Sequence, residues 1–443
     1  MTLRNARSTR RDFLKTSTLA AGVGALGLAN FPAPAVAREI GVNSKLNIAH
    51  VGITRQGAYS VNGCKSQNQI ALCDADSKHL DAAKATYPNA KMYQDFRDML
   101  AEMGDQLDAI VVCTPDHTHA APAIAGMKLG LHCYSEKPLA HDIYQIRAMQ
   151  KVAKEKNLVT QMGTQIHAED NYRRVVELIQ AGAIGTVKDV KVWCQNRYIG
   201  KPKAAEKVEC PKTLNWDAWL GPAAERDYDP RYVPGTWRHY WDFGNGAMGD
   251  MGCHYLDLPF WALGLGYPLS VETTSPHPVD EELCGWDLTA KYEFAALDGG
   301  SEPLTLSWQD GQARPECLKE FGLEKHGAGV LFFGTDGILF STYWEHALLP
   351  KEKFEGFERP AQSIPKSLGH HAEWIKAIQD GAGAGSTTCD FGYSGRIAET
   401  VLLGCFSYRC GQKLIYDAEN MKATNCPKAD QYIKQYCRPG WEV

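Results

Sequence analysis

The chain has 443 residues, 44% hydrophobic and 22% charged, with a formal net charge of −5. That length exceeds what one hydrophobic core usually organises, so two domains are expected. Arg4, Arg7, Arg10, Arg11 and Lys15 fall in the first 37 positions against a single acid, Asp12, which leaves 42 basic and 51 acidic residues in the body. An acidic body without a basic stripe argues against nucleic acid and anionic membrane as partners.

At the amino terminus, Arg10-Arg11 precede Phe13-Leu14-Lys15, a small-residue apolar stretch and Ala35-Val36-Ala37. This reads as a twin-arginine export signal over residues 1–37, cleaved near Ala37, so a periplasmic mature chain handled by the export machinery is expected. The apolar stretch is glycine-interrupted and short of the roughly 20 residues that span a bilayer, so the protein is not expected to be membrane-embedded. Of the fourteen cysteines, Cys73, Cys113 and Cys133 lie inside predicted buried strands, where a free thiol packs as a small hydrophobe. A disulfide among the later ones, such as Cys426 with Cys437, is left open.

From Lys45, strand-length apolar runs (LNIAHV, QIALCDAD, DAIVVCTP, LHCY, LVTQM) alternate with helix-like segments such as Ser77 to Tyr87 and Asp142 to Asn157. Alternation of this kind predicts a parallel, doubly covered α/β sheet of Rossmann type over residues 45–164. After a helix from Glu169 to Ala181 the texture changes to longer strand-like runs. These predict an α+β domain over 165–443, built on an open, mostly antiparallel sheet. Helices return at Gly249 to Leu263, His371 to Asp380 and Tyr393 to Arg409. The stretch from Ile199 to Arg238, rich in Pro, Tyr and Trp, reads as a long ordered loop over the active-site side.

The first strand runs into Gly52-Ile53-Thr54-Arg55-Gln56-Gly57. Gly52 and Gly57 match the first and third glycines of the G-x-G-x-x-G dinucleotide fingerprint, and Thr54 replaces the second. Arg55 and the Thr54 hydroxyl are then expected to supply contacts to the pyrophosphate. Asp74 ends the second strand about 20 residues on, where an acid accepts hydrogen bonds from ribose hydroxyls. A carboxylate there repels a 2′-phosphate, which favours NAD over NADP.

Further on, Glu136-Lys137-Pro138 follows a strand end, where ligands bind in α/β sheets. Asp250 and His254 are spaced four apart on a predicted helix and share a face. Together with CTPDHTH after the fourth strand and G-x-x-x-D-x-x-x-H from Gly246 to His254, this tripeptide resembles the Gfo/Idh/MocA family of sugar and polyol dehydrogenases. The resemblance covers essentially the whole mature chain and is closest to the family's exported members. It implies that Lys137 contacts both nicotinamide and the substrate hydroxyl, with Glu136, Thr114, Pro115, His119 and Gln165 on the cofactor side. It also implies His254 as proton acceptor and Asp250 as a ligand for a sugar hydroxyl or an orienter of His254. His167, Trp237, Arg238 and Tyr240 would meet the substrate. Homo-oligomers through the open sheet are implied as well. A histidine titrating near neutrality suits alcohol deprotonation, and a lysine suits a developing alkoxide. A zinc reading built on Asp250, Cys253, His254, Asp257, His370 and His371 is the minor one, and no metal is expected.

Three functions remain open on these residues. The first is a dehydrogenase of a sugar, glycoside or polyol hydroxyl with tightly bound, recycled NAD. The second is glycoside cleavage by transient oxidation without net redox change. The third is a non-catalytic carbohydrate or nucleotide binder.

Overall fold

The computed structural model describes residues 44–201, 207–297 and 300–443. The export-signal reading at 1–37 lies outside them. Residues 47–162 build a six-stranded, wholly parallel sheet in the order β3-β2-β1-β4-β5-β6. In chain order its elements are β1 (Asn47–Val51), α1 (Gln56–Gly63), β2 (Asn68–Cys73), α2 (Ser77–Lys84), β3 (Lys91–Tyr93) and α3 (Phe96–Met103). There follow β4 (Ala109–Val112), α4 (Ala120–Lys128), β5 (His132–Ser135), α5 (Ile143–Glu155) and β6 (Thr160–Met162). All four residues of β4 are buried, as expected of a central strand covered on both faces. Asp76, Asp95 and Asp142 cap α2, α3 and α5 by accepting from Lys78 N, Arg97 N and Gln145 N. Each such cap is worth about 1 kcal/mol.

The second half contributes α6 (Asp170–Gln180), β7 (Val187–Cys194), α7 (Trp216–Leu220) and α8 (Gly246–Leu263). Next come β8 (Ser270–Thr274), β9 (Thr289–Phe294), β10 (Leu304–Asp310), β11 (Ala328–Gly334), β12 (Gly337–Ser341) and β13 (His346–Leu349). Last are α9 (His370–Gln379), α10 (Phe391–Cys410), β14 (Leu414–Asp417), β15 (Lys422–Ala423) and α11 (Asp430–Ile433). The nine strands form an open sheet in the order β13-β12-β11-β7-β10-β9-β8-β14-β15, in which only the β7–β10 pair is parallel. Alternate residues of β10 (Leu304, Leu306, Trp308) and β9 (Ala290, Tyr292, Phe294) turn inward to the core that also contains α8 and α10. The expected fold class is the observed one.

The late chain also returns to the first sheet. Trp374, Ile375 and Ile378 of α9 pack with Ile48, Val111, Tyr134 and Val159. Backbone at Cys389 accepts from Met162 N at 3.0 Å, next to β6. From residue 207 on, the Pro/Tyr/Trp-rich stretch has its own cluster of Leu214, Trp219, Tyr232 and Trp237, joined by Tyr240 and Phe243. All fourteen cysteines are free. The thiol of Cys437 donates to Arg438 O at 3.7 Å, while the neighbour of Cys426 is Cys410, so the pair suggested from sequence is not the one brought together.

Candidate active site

At the carboxyl ends of the parallel strands lies a cavity of about 400 Å³, walled on its far side by α8 and the segment 214–238. Gly52 sits at φ 80°, where a Cβ would come within 2.5 Å of Cys113 O. A Cβ on Gly57 would lie 2.2 Å from Gly52 O. These two glycines let the first loop close on itself and on the β4 loop, which is the requirement behind the fingerprint. Thr54 lines the cavity in place of the second glycine. Arg55 lines it too, at φ 53°, with its guanidinium lying against Gly235 of the second domain.

The Asp74 carboxylate accepts from Ile53 N at 3.2 Å, Asp76 N at 3.0 Å and His79 Nδ1 at 2.9 Å, so it is fixed on the cavity wall. Thr114 and Pro115 line the same wall. His119 is a brace there: its ring faces Pro138 O at 2.7 Å and Thr114 O at 2.8 Å. Burial pushes it down to about 4, so the neutral ring donates to one of the two carbonyls at a time. His117 is buried against Trp219 and Phe243, with Trp219 O 3.1 Å from Nε2.

Glu136 accepts from Gln56 Nε2 at 3.1 Å and Gln165 Nε2 at 2.7 Å. Burial raises its pKa against the pull of Lys137. Gly163 makes room for it, since a Cβ there would stand 2.5 Å from the carboxyl group.

Lys137, at the end of β5, crosses to the second domain. Its Nζ donates to Asp250 O at 2.6 Å and Asp250 Oδ1 at 2.5 Å. Arg238 Nε donates to the same Oδ1 at 3.0 Å, and Tyr198 OH donates to Oδ2 at 2.5 Å. Burial alone would raise the Asp250 pKa, but the Lys137 and Arg238 charges override it and hold the carboxylate far below its usual range. Lys137 is raised in turn: burial opposes its charge, and Asp250 more than compensates. An ammonium has three donors and Asp250 engages two, so one N–H is left.

His254, one turn along α8, lines the cavity, and its ring has no hydrogen-bond partner among the described residues. The expected titration near neutrality is not what its surroundings give: burial, then the Lys137 charge, push it down to about 3. The ring is therefore neutral near pH 7 and, buried beside the Lys137 charge, a weaker base than a free imidazole. Asp250 does not orient it.

Two expected substrate contacts lie elsewhere. His167 is buried, with Nδ1 2.9 Å from both Asp257 oxygens and its ring stacked on Trp261 at 3.9 Å. Tyr240 is buried in the loop cluster and donates to Lys201 O at 2.9 Å. Trp237 lines the cavity with Arg238 4.0 Å over its ring. The ligands of the minor zinc reading are not brought together. His370 and His371 face Met162 O and Ser60 Oγ. The group with metal-like spacing among the described residues is His167, Asp257 and Cys389, where Asp257 also accepts from Tyr393 OH at 2.8 Å.

Sequence reasoning missed three groups: Gln56, Tyr198 and Asp116. The last is a carboxyl on the cavity wall that burial pushes up to about 7 despite Arg238 and Lys137. Asp116 stood inside the quoted CTPDHTH segment. Nothing local marks Tyr198, which meets Asp250 across 52 residues.

The residues present fit a dinucleotide. Thr114, on the wall, keeps its buried Oγ1 without a hydrogen-bond partner among the described residues, and so does Glu136 its Oε2. The family model for an oxidoreductase family NAD-binding Rossmann fold matches residues 46–164, and that for the oxidoreductase family C-terminal alpha/beta domain matches 173–302. The chain carries both domains of the Gfo/Idh/MocA oxidoreductase family.

Among curated relatives, this Gfo/Idh/MocA chain is similar to levoglucosan dehydrogenase of Pseudarthrobacter phenanthrenivorans, 27% identical over 177 residues, or 38% of this chain and 36% of the relative. It is also similar to inositol 2-dehydrogenase 1 of Saccharopolyspora erythraea, 34% identical over 139 residues, or 30% of this chain and 40% of the relative. The matches span well under half of these relatives' lengths. The WlbA dehydrogenase from Bordetella pertussis, solved with NADH and UDP-GlcNAcA, shares the fold. Its TM-score is 0.60 at 18% identity, over 84% of this chain and 99% of that one.

Proposed function

We propose that this chain is an NAD-dependent dehydrogenase of one hydroxyl of a sugar, glycoside or polyol, exported by the twin-arginine route and working in the periplasm with a retained, recycled cofactor. The observation that carries the reading is the convergence of Lys137 and His254, from different domains, on the cavity that also contains Gly52 and Asp74. Bound NAD supplies the hydride acceptor. The remaining N–H of Lys137 donates to the carbinol oxygen and stabilises the developing alkoxide. As hydride leaves carbon the hydroxyl proton becomes acidic enough for the neutral, weakly basic His254 ring to take it. Asp250 holds the lysine charged and aimed, and Arg238 shares that carboxylate.

Arg10-Arg11 and Ala35-Val36-Ala37 support export. Retention of NAD then follows from chemistry, since a compartment without a free NAD pool demands regeneration in place by a second, carbonyl-containing substrate.

The test is to denature purified protein, identify released nucleotide by mass, and follow a carbohydrate panel by product analysis. Oxidised sugar formed together with a reduced second substrate is expected. Stoichiometric NADH released into solution would remove the recycling claim. Hydrolysed glycoside with unchanged cofactor would move the reading to redox-neutral cleavage.

A further inference from the structure

The cavity continues past Asp74, where its wall is no longer supplied by the first domain alone. An acid at the end of the second strand marks the ribose of the adenosine half in dinucleotide folds, so the space beyond it is the adenosine end. Leu214, Ala218, Trp219 and Trp441 line the cavity from the second domain.

These residues are tied directly to the turn after β2. Asp76 and Leu214 form an antiparallel bridge. Ser77 N donates to Thr213 O at 2.9 Å, and Asn215 N donates to Ala75 O at 2.8 Å. The Gln94 amide spans the join, donating to Ala75 O and to Thr213 O, both at 2.8 Å. Asn215 then caps α7 by accepting from Ala218 N at 3.1 Å. On the outer side, Arg97 donates to Asp217 at 3.2 Å and lies 4.1 Å over the Trp441 ring. Trp441 also meets Phe96 edge-on at 5.9 Å. Arg438 completes the fastening by donating to Gly221 O at 2.9 Å and pairing with the Asp217 carboxylate at 2.7 Å.

We propose that residues 213–220 and Trp441 form a strap that retains the dinucleotide by its adenosine half, so that the cofactor leaves only when the strap unlatches. The inference rests on the dehydrogenase reading above and supplies its retention device. An open crevice lets a dinucleotide exchange at each encounter. Here a backbone bridge, a shared amide and an aromatic cover must first separate. None of the catalytic side chains named above lies within residues 213–220 or at Trp441.

The experiment measures release of bound NAD from full-length protein, by exchange against isotopically labelled NAD. Gln94→Leu removes both bonds of the spanning amide and is expected to speed release at least tenfold. Trp441→Ala and Arg97→Ala, the latter removing one of the two arginines on Asp217 and the cation over Trp441 without altering the cavity lining, are each expected to speed it severalfold. Circular dichroism confirms that each variant is folded. Equal release rates in the wild type and in every folded variant overturn the strap alone. Protein that neither carries nor binds NAD overturns the dehydrogenase reading and the strap with it.

Discussion

Asp250 is the residue on which the site turns, because one carboxylate accepts from Lys137, Arg238 and Tyr198. Two cations on one anion leave the pair net positive toward the cavity, which suits an oxygen gaining negative charge. Lys137→Met is therefore expected to lower kcat/KM by about 10²–10³, the range for losing one preorganised donor. Steady-state kinetics check it, and a loss under threefold would remove the lysine from the chemistry. The histidine gives a pH signature. With His254 pushed down to about 3, an acid limb of kcat/KM near 6.5 is not expected, and activity should persist below pH 5. A step near pH 7 that survives in His254→Asn belongs to Asp116; one that disappears there shows that the ring titrates normally. Lys137, Asp250 and His254 were legible because a tripeptide and a four-residue helical spacing are local signals. Arg238 lines the cavity, as a substrate group would, but its ion pair with Asp250 was illegible because it joins a loop to a helix. His167 was misplaced for a similar reason: Asp257, one turn deeper on α8, captures it in the core.

Elements show which local patterns carried tertiary meaning. The alternation of strand and helix gave the first sheet directly, since burial on both faces forces continuous apolar runs. The antiparallel second sheet was legible only as a change of texture, and its β7–β10 parallel pair was not. The glycine pattern at the first turn was legible, and the structure supplies its steric cause. Gly57→Ala places a Cβ 2.2 Å from a backbone oxygen that cannot retreat. It should cost about 1–3 kcal/mol as overpacking, read as a lower denaturation midpoint with unchanged slope. An unaltered midpoint would mean that the loop relaxes freely. Cysteine pairing was illegible, because connectivity depends on where α10 ends. Cys410, its last residue, meets Cys426, whereas Cys437 faces backbone. With glutathione disulfide as oxidant, non-reducing peptide mapping should find Cys410–Cys426 crosslinked; a Cys426–Cys437 peptide would contradict the placement.

At the scale of the whole molecule, the late chain binds the two sheets together and buries much titratable chemistry in doing so. Arg147 of α5 donates to the Glu399 carboxylate of α10 at 2.6 and 2.8 Å, and α9 covers the first sheet with His370 and His371 buried beneath it. Burial drives His50, His117, His119, His132, His141, His254, His346, His370 and His371 down to about 3 or 4. Their unfolded counterparts titrate near 6.5, so between about pH 6.5 and 4 the unfolded chain binds protons that the native chain refuses. Stability from these groups is full above pH 6.5 and is lost as pH falls through that window. Asp116, Asp142 and Asp310 act with the opposite sign. Burial raises each to about 7, so their contribution is full below about pH 4 and is lost as pH rises through 7. Nine histidines against these three carboxyls decide the balance between pH 7 and 5. The melting temperature should fall steadily on acidification across that range, with net proton uptake on unfolding in calorimetry repeated in buffers of different ionisation enthalpy. A melting temperature that holds level or rises toward pH 5 would mean that these imidazoles are solvated, and the packing of α9 on the first sheet would be looser than described.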